Sequence, residues 1–83
     1  MTKYLVDVYI PASGRHIDAF IPAGKLISDT TALLVRLAES ICGGSFKGTP
    51  DTMLLDAASG RPFDRNINVF DAGIRNSSKL LLI

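Results

Sequence analysis

The sequence has few of the residues that catalytic and metal-binding sites require. It contains one cysteine and one histidine in 83 residues. Cys42 cannot form an intramolecular disulfide, which fits a reducing cytosol better than an oxidising compartment. His16 has no second histidine or cysteine close in sequence to complete a metal site. We therefore expect no metal, no cofactor and no catalytic residues, and a protein that is not an enzyme.

An excess of charge of one sign is also missing. Nine Lys and Arg against eight Asp and Glu give a formal net charge of +1. Nucleic-acid binding usually needs a basic stripe to neutralise phosphates, so we expect no nucleic-acid partner. No apolar run approaches the roughly 20 residues that span a bilayer, and the N-terminus lacks a signal-peptide pattern. We expect a cytoplasmic protein without direct membrane insertion.

The chain does have enough apolar content for a folded core. Hydrophobic residues make up 47% of the sequence, and no repeat, low-complexity segment or interdomain linker interrupts it. A chain of this length is ordinarily one domain. We expect residues 1–83 to form a single domain.

Alternating apolar residues predict a β-hairpin at the N-terminus. Tyr4 to Ile10 alternate between two faces, and residues 16–21 do the same. Period two is typical of a strand. The segment Pro11-Ala12-Ser13-Gly14 between the two runs has turn chemistry, which completes the hairpin pattern.

Helical spacing follows the hairpin. Ser28 or Asp29 can cap the start of a helix, and Gly43 can end it in the left-handed conformation. The positions that recur at helical spacing are Thr30, Leu33, Leu34, Leu37, Ala38 and Ile41. An amphipathic helix is therefore predicted between residue 28 or 29 and residue 42.

The remainder of the chain predicts two more strands. Residues 52–56 are predicted as a short strand, residues 63–74 are irregular with one helical turn near 69–72, and residues 79–83 close the chain as a strand. The apolar hairpin face needs the helix to cover it, and the last strand can pair in parallel with the first through a long crossover. The order predicts an α+β fold with a mixed sheet of four to five strands packed on one main helix.

The closing segment, Asn68 to Ile83, resembles that of ubiquitin-like domains. Val69, Asp71, Ile74, Leu80 and Leu82 occupy the places of that pattern. The resemblance implies a ubiquitin-like β-grasp roll. The chain is most similar to the YukD/EsaB family, small ubiquitin-like proteins of bacterial type VII (WXG-motif) secretion systems. That similarity rests on the length, the early first strand, the hairpin end Asp18-Ala19-Phe20-Ile21-Pro22 and the stop after Leu80-Leu81-Leu82-Ile83.

This resemblance implies a non-catalytic accessory or regulatory component of a type VII secretion system. Its expected partners are the secretion ATPase or a membrane component of the machinery, which would recruit it to the inner face of the membrane. Conjugated modifiers and sulfur carriers end in Gly-Gly, whereas this sequence ends at Ile83, so we expect neither chemistry. The alternative is another ubiquitin-like adaptor, or a self-associating domain, unrelated to secretion.

The outer face of the sheet is the candidate protein-binding site. We expect eight residues to face the helix: Val6, Val8, Ile17, Ile21, Met53, Leu55, Leu80 and Leu82. Period two then turns their neighbours outward, and these are Leu5, Tyr9, Phe20, Leu54, Leu81 and Ile83. Contiguous exposed apolar patches mark interaction sites, and ubiquitin uses the same face, with Leu54 and Ile83 in matching places. A homo-oligomer that buries this face, or singly exposed residues, which are normal, are the alternatives.

Overall fold

A computed structural model describes residues 2–83. In chain order the elements are β1 (Lys3–Ile10), β2 (Arg15–Pro22), α1 (Ile27–Cys42), a short 3-10 helix (Gly43–Ser45), β3 (Leu54–Asp56) and β4 (Lys79–Leu82). No helix in this part of the chain is long and apolar enough to cross a membrane.

The strands form one mixed sheet in the order β2-β1-β4-β3. β1 and β2 are the antiparallel hairpin, β4 runs parallel to β1, and β3 is antiparallel to β4. The last strand therefore lies between the first and the third, and its parallel pairing requires the long crossover through α1 and β3. The predicted α+β fold, with a four-stranded sheet and one main helix, is confirmed.

The core lies between α1 and the inner face of the sheet. β1 buries every second residue, ending with Val8 and Ile10 fully enclosed, and α1 contributes Leu34 and Ala38. Each fully buried Val, Ile or Leu side chain contributes about 1.5–3 kcal/mol relative to leaving it exposed. The predicted inward positions in β1, β2 and β4 are all buried: Val6, Val8, Ile17, Ile21, Leu80 and Leu82.

The predicted facing of β3 is wrong by one residue. Leu54 is 2% exposed and belongs to the helix-side core, whereas Met53 is 41% exposed. The cause is the pairing with β4, where Leu54 stands opposite the inward Leu82 and Leu55 opposite the outward Leu81. Directly opposed residues of antiparallel strands share a face. Leu54 is therefore a core residue and not part of the outer face.

The start of α1 also differs from the prediction. The helix begins at Ile27, and no side chain caps it, so neither Ser28 nor Asp29 is the N-cap. The free N–H groups of Ile27 and Ser28 instead donate to the carbonyl oxygens of Ile67 and Arg65, at 2.9 and 3.1 Å. Backbone from the irregular segment thus satisfies the helix terminus in place of a side-chain cap.

The irregular segment before β4 is hydrogen-bonded to the segment that precedes α1. Val69 and Phe70 donate their N–H groups to the carbonyls of Lys25 and Ala23, both at 2.9 Å. Val69 and Ile74 are buried, as the ubiquitin-like pattern implies. Ala72 N–H donates to Asn68 O at 3.0 Å, which closes one turn at the expected place.

Candidate protein-binding face

The outer face of the sheet is the side turned away from α1, and its residues form cross-strand rows. One row pairs Leu5 with Phe20, the next pairs Asp7 with Asp18, and the third pairs Tyr9 with His16. Alternation along β1 fixes this order, because the residues between them are buried on the helix side. The outer face is therefore a set of parallel rows whose chemistry changes from one row to the next.

The first row is an exposed apolar pair. Leu5 is 41% exposed and Phe20 is 66% exposed. The backbone beneath them is fixed, because Leu5 N–H donates to Asn76 Oδ1 at 2.9 Å and Leu5 O accepts from Ser77 N–H at 2.8 Å.

The second row is polar and crosses the sheet. Asp7 and Asp18 face each other across the hairpin, and Lys79 lies beside Asp7 on β4. Like charges directly opposite each other destabilise a sheet. The Asp7 carboxylate has a hydrogen-bond partner in His16, whose Nδ1 lies 3.0 Å from Asp7 Oδ1. This row borders a shallow hollow of about 210 Å³ next to Leu5.

The remaining rows, at the other end of the sheet, are apolar. Tyr9 and Leu55 flank Leu81 from either side, and Met53 and Ile83 exchange backbone hydrogen bonds at 2.6 and 3.1 Å. Met53 is 41% and Ile83 49% exposed. Leu55 is only 6% exposed. The residues Tyr9, Met53, Leu81 and Ile83 are called the C-terminal patch.

Histidine borders this patch. The His16 ring is tilted against the ring of Tyr9, with centroids 4.5 Å apart, while its Nδ1 bonds to Asp7. These contacts orient the rings of Tyr9 and His16 at the boundary between the polar row and the C-terminal patch.

The predicted site residues are only partly brought together. Tyr9, Leu81 and Ile83 meet in the C-terminal patch, whereas Leu5 and Phe20 are separated from it by the polar row. Leu54 is excluded by its burial. Met53 was missed, because an apolar run without polar residues has no alternation that would show its facing.

The outer face combines apolar, aromatic and charged side chains. Among residues 2–83, no group of three or more His, Cys, Asp or Glu side chains could hold a metal ion. The face presents apolar side chains, one oriented histidine and a row of charges. Such a surface can bury apolar area against a partner and fix its orientation through the polar row.

Comparisons with known proteins place the fold. A scan of protein-family models finds no match, and neither does a search of curated proteins. Solved structures do match. The ubiquitin-like domain of the Mycobacterium tuberculosis type VII secretion system protein ECCD1 is 23% identical, with a TM-score of 0.69, over 100% of this chain and 99% of that one.

Two further structures agree. The EccD5 ubiquitin-like domain from Mycobacterium xenopi is 16% identical with a TM-score of 0.75, over 100% of this chain and 94% of that one. A chain of the MycP5-free ESX-5 inner membrane complex is 16% identical with a TM-score of 0.85, over 100% of this chain. This chain spans only 21% of that larger one. The fold is the ubiquitin-like β-grasp.

Proposed function

We propose that this chain is a ubiquitin-like, non-catalytic interaction domain of a type VII secretion system, placed at the cytoplasmic side of the membrane. The observation that carries the proposal is the C-terminal patch, where Met53 and Ile83 expose 41% and 49% of their surface. Two of the similar structures are ubiquitin-like domains, one of them from a type VII secretion system protein, and a third is a chain of an inner membrane complex. That likeness supports the pathway, and the patch supports the mode of action.

The proposed mode of action is docking through the outer sheet face. Met53 and Ile83 supply apolar area that a partner can cover, while Tyr9 and His16 set one edge of the contact. Charges in the polar row then contribute to the orientation of the partner more than to its affinity, because exposed ion pairs contribute little binding free energy. The proposed partners are the secretion ATPase or a membrane component of the machinery. The YukD/EsaB family remains our proposal for the finer relationship.

A pull-down from the cells that produce this protein tests both parts. The variant Met53→Glu keeps the side-chain length but places a charge in the C-terminal patch. The matched control is Ile41→Glu, because Ile41 is similarly exposed, at 43%, but lies on α1. We expect the wild type and the control to retain secretion components, and Met53→Glu to lose them.

The outcomes separate the pathway from the patch. Recovery of secretion components with all three proteins would support the pathway and contradict docking through this face. Recovery of unrelated proteins would contradict the pathway. Light scattering on purified protein tests the self-associating alternative, for which a dimer that Met53→Glu converts to a monomer is the expected result.

A further inference from the structure

A groove on the helix side of the molecule lies apart from the outer sheet face. It runs between α1 and the loop that precedes β3, and encloses about 440 Å³. Its lining includes Ala32, Val35 and Arg36 from α1, together with Pro50 and Arg65 from other segments. We propose that this groove binds an acidic peptide segment of a partner protein.

The loop wall of the groove is held firmly against the helix. Gly48 N–H donates to Glu39 Oε2 at 3.0 Å, and a Cβ at residue 48 would overlap the Val35 side chain. The loop is also braced within itself, because Thr49 N–H donates to Thr52 Oγ1 at 2.9 Å and Thr52 N–H to Thr49 O at 3.0 Å. The groove is therefore preformed, which lowers the ordering cost of binding.

Two guanidinium groups on the groove have no partner within the described chain. Among residues 2–83 the one ion pair is His16 with Asp7, so neither Arg36 nor Arg65 is paired with a carboxylate. Neither side chain donates a hydrogen bond there either, although both line the groove and are exposed. Arginine binds carboxylates through a planar set of donors, often in pairs of parallel bonds.

The charged residues that line the groove are two arginines, Arg36 and Arg65, and one glutamate, Glu39. Lys25 and Asp29 line a second hollow that shares Ala32 and Arg36 with the groove, and these two opposite charges offset each other. Glu39 is the carboxylate within the groove, and one of its oxygens already accepts from Gly48 N–H. Two arginines against one carboxylate favour an anionic ligand.

The floor of the groove distinguishes a peptide from a small anion. Ala32, Val35 and Pro50 supply apolar surface in the same groove as the arginines, and the hydroxyl-bearing Thr31 and Thr52 of its lining are buried. A free phosphate would leave this apolar surface in water. A peptide with an apolar side chain between acidic residues covers the floor and meets the guanidinium groups together.

Fluorescence anisotropy with labelled peptides tests the proposal on the purified full chain. The probes are a pool of short peptides with one leucine and aspartates at varied positions on both sides of it. The control pool carries asparagine in place of every aspartate. We expect saturable binding of acidic members, weakened by salt, and no binding of the control pool.

Matched variants locate the binding. Arg36→Gln and Arg65→Gln should each weaken the best acidic peptide about tenfold or more, since each removes a charged hydrogen-bond donor. Arg15→Gln and Arg61→Gln, at exposed arginines away from the groove, should leave the affinity unchanged. Ala32→Phe should block binding by filling the floor while Arg36 and Arg65 stay in place.

Three results would overturn the inference. They are the absence of saturable binding by any acidic peptide, equal binding of the asparagine pool, and equal losses from the control arginine variants. Competition by inorganic phosphate at the affinity of the peptide would reduce the groove to a simple anion site. None of these results depends on the outer sheet face, so Phe20→Glu, at an exposed position of β2 that does not line the groove, should bind the acidic peptide normally.

Discussion

Replacing Leu54 and Met53 separately with alanine tests the register that defines the outer face. Both substitutions remove the same number of heavy atoms beyond Cβ, at adjacent positions of the chain. Leu54 is 2% exposed within the helix-side core, while Met53 is 41% exposed on the opposite face. The difference in burial, not in chemistry, should therefore decide the difference in stability.

The magnitudes follow from that burial. Leu54→Ala leaves a cavity in a packed core and should lower the free energy of unfolding by about 2–5 kcal/mol. Met53→Ala removes a half-exposed side chain and should cost less than about 1 kcal/mol. For a domain of this size, about 1 kcal/mol corresponds to roughly 4–8 °C in Tm.

Urea unfolding monitored by circular dichroism, with thermal melts alongside, provides the measurement. The comparison is sound where the dependence on denaturant is the same for the wild type and both variants. Equal losses for the two variants, or a larger loss for Met53→Ala, would refute the register. The outer face would then contain Leu54, and the C-terminal patch would have to be redrawn.

The other predictions concern α1 and the loop packed on it. The Thr30 hydroxyl is fully buried and has no hydrogen-bond partner among the described residues, so Thr30→Val should stabilise the fold by about 1 kcal/mol in urea unfolding. Its neighbour Thr31 donates to Ile27 O at 2.8 Å, so Thr31→Val should instead be neutral or cost up to about 1 kcal/mol, and the reverse order would contradict these assignments. Gly48→Ala should cost about 1–3 kcal/mol, because its Cβ would overlap the Val35 side chain; an unchanged melting temperature would show that the loop moves freely.

The hairpin and the helix could be predicted because their patterns contrast. Along β1, buried apolar residues alternate with Leu5, Asp7 and Tyr9, and Asp7 marks the outer side without ambiguity. In β2, Asp18 marks the same side. In a long strand, polar residues on one face show which side points to solvent and so determine the register.

The facing of β3 could not be read in the same way. Its neighbourhood, Met53 to Leu55, is apolar at every position, so a shift by one residue changes nothing in the local pattern. The pairing of Leu54 with Leu82, a residue far along the chain, decides it. Register of this kind is a property of two strands together.

The division of the outer face was also beyond the sequence pattern. Asp7, Asp18 and Lys79 come from three strands and form a row only because of their register across the sheet. The helix start has the same character, since the carbonyls of Ile67 and Arg65 that satisfy it lie far along the chain. In both places, contacts between distant segments replace the local signal.

Photo-crosslinking in the cells that produce the protein tests the central claim most directly. Benzoylphenylalanine would replace Met53 in the C-terminal patch and, in a parallel strain, Ile41 on α1, two positions of similar exposure. Docking through the outer sheet face predicts crosslinks to a secretion ATPase or membrane component from position 53 and none from position 41. Crosslinks to such components from position 41 alone would contradict it.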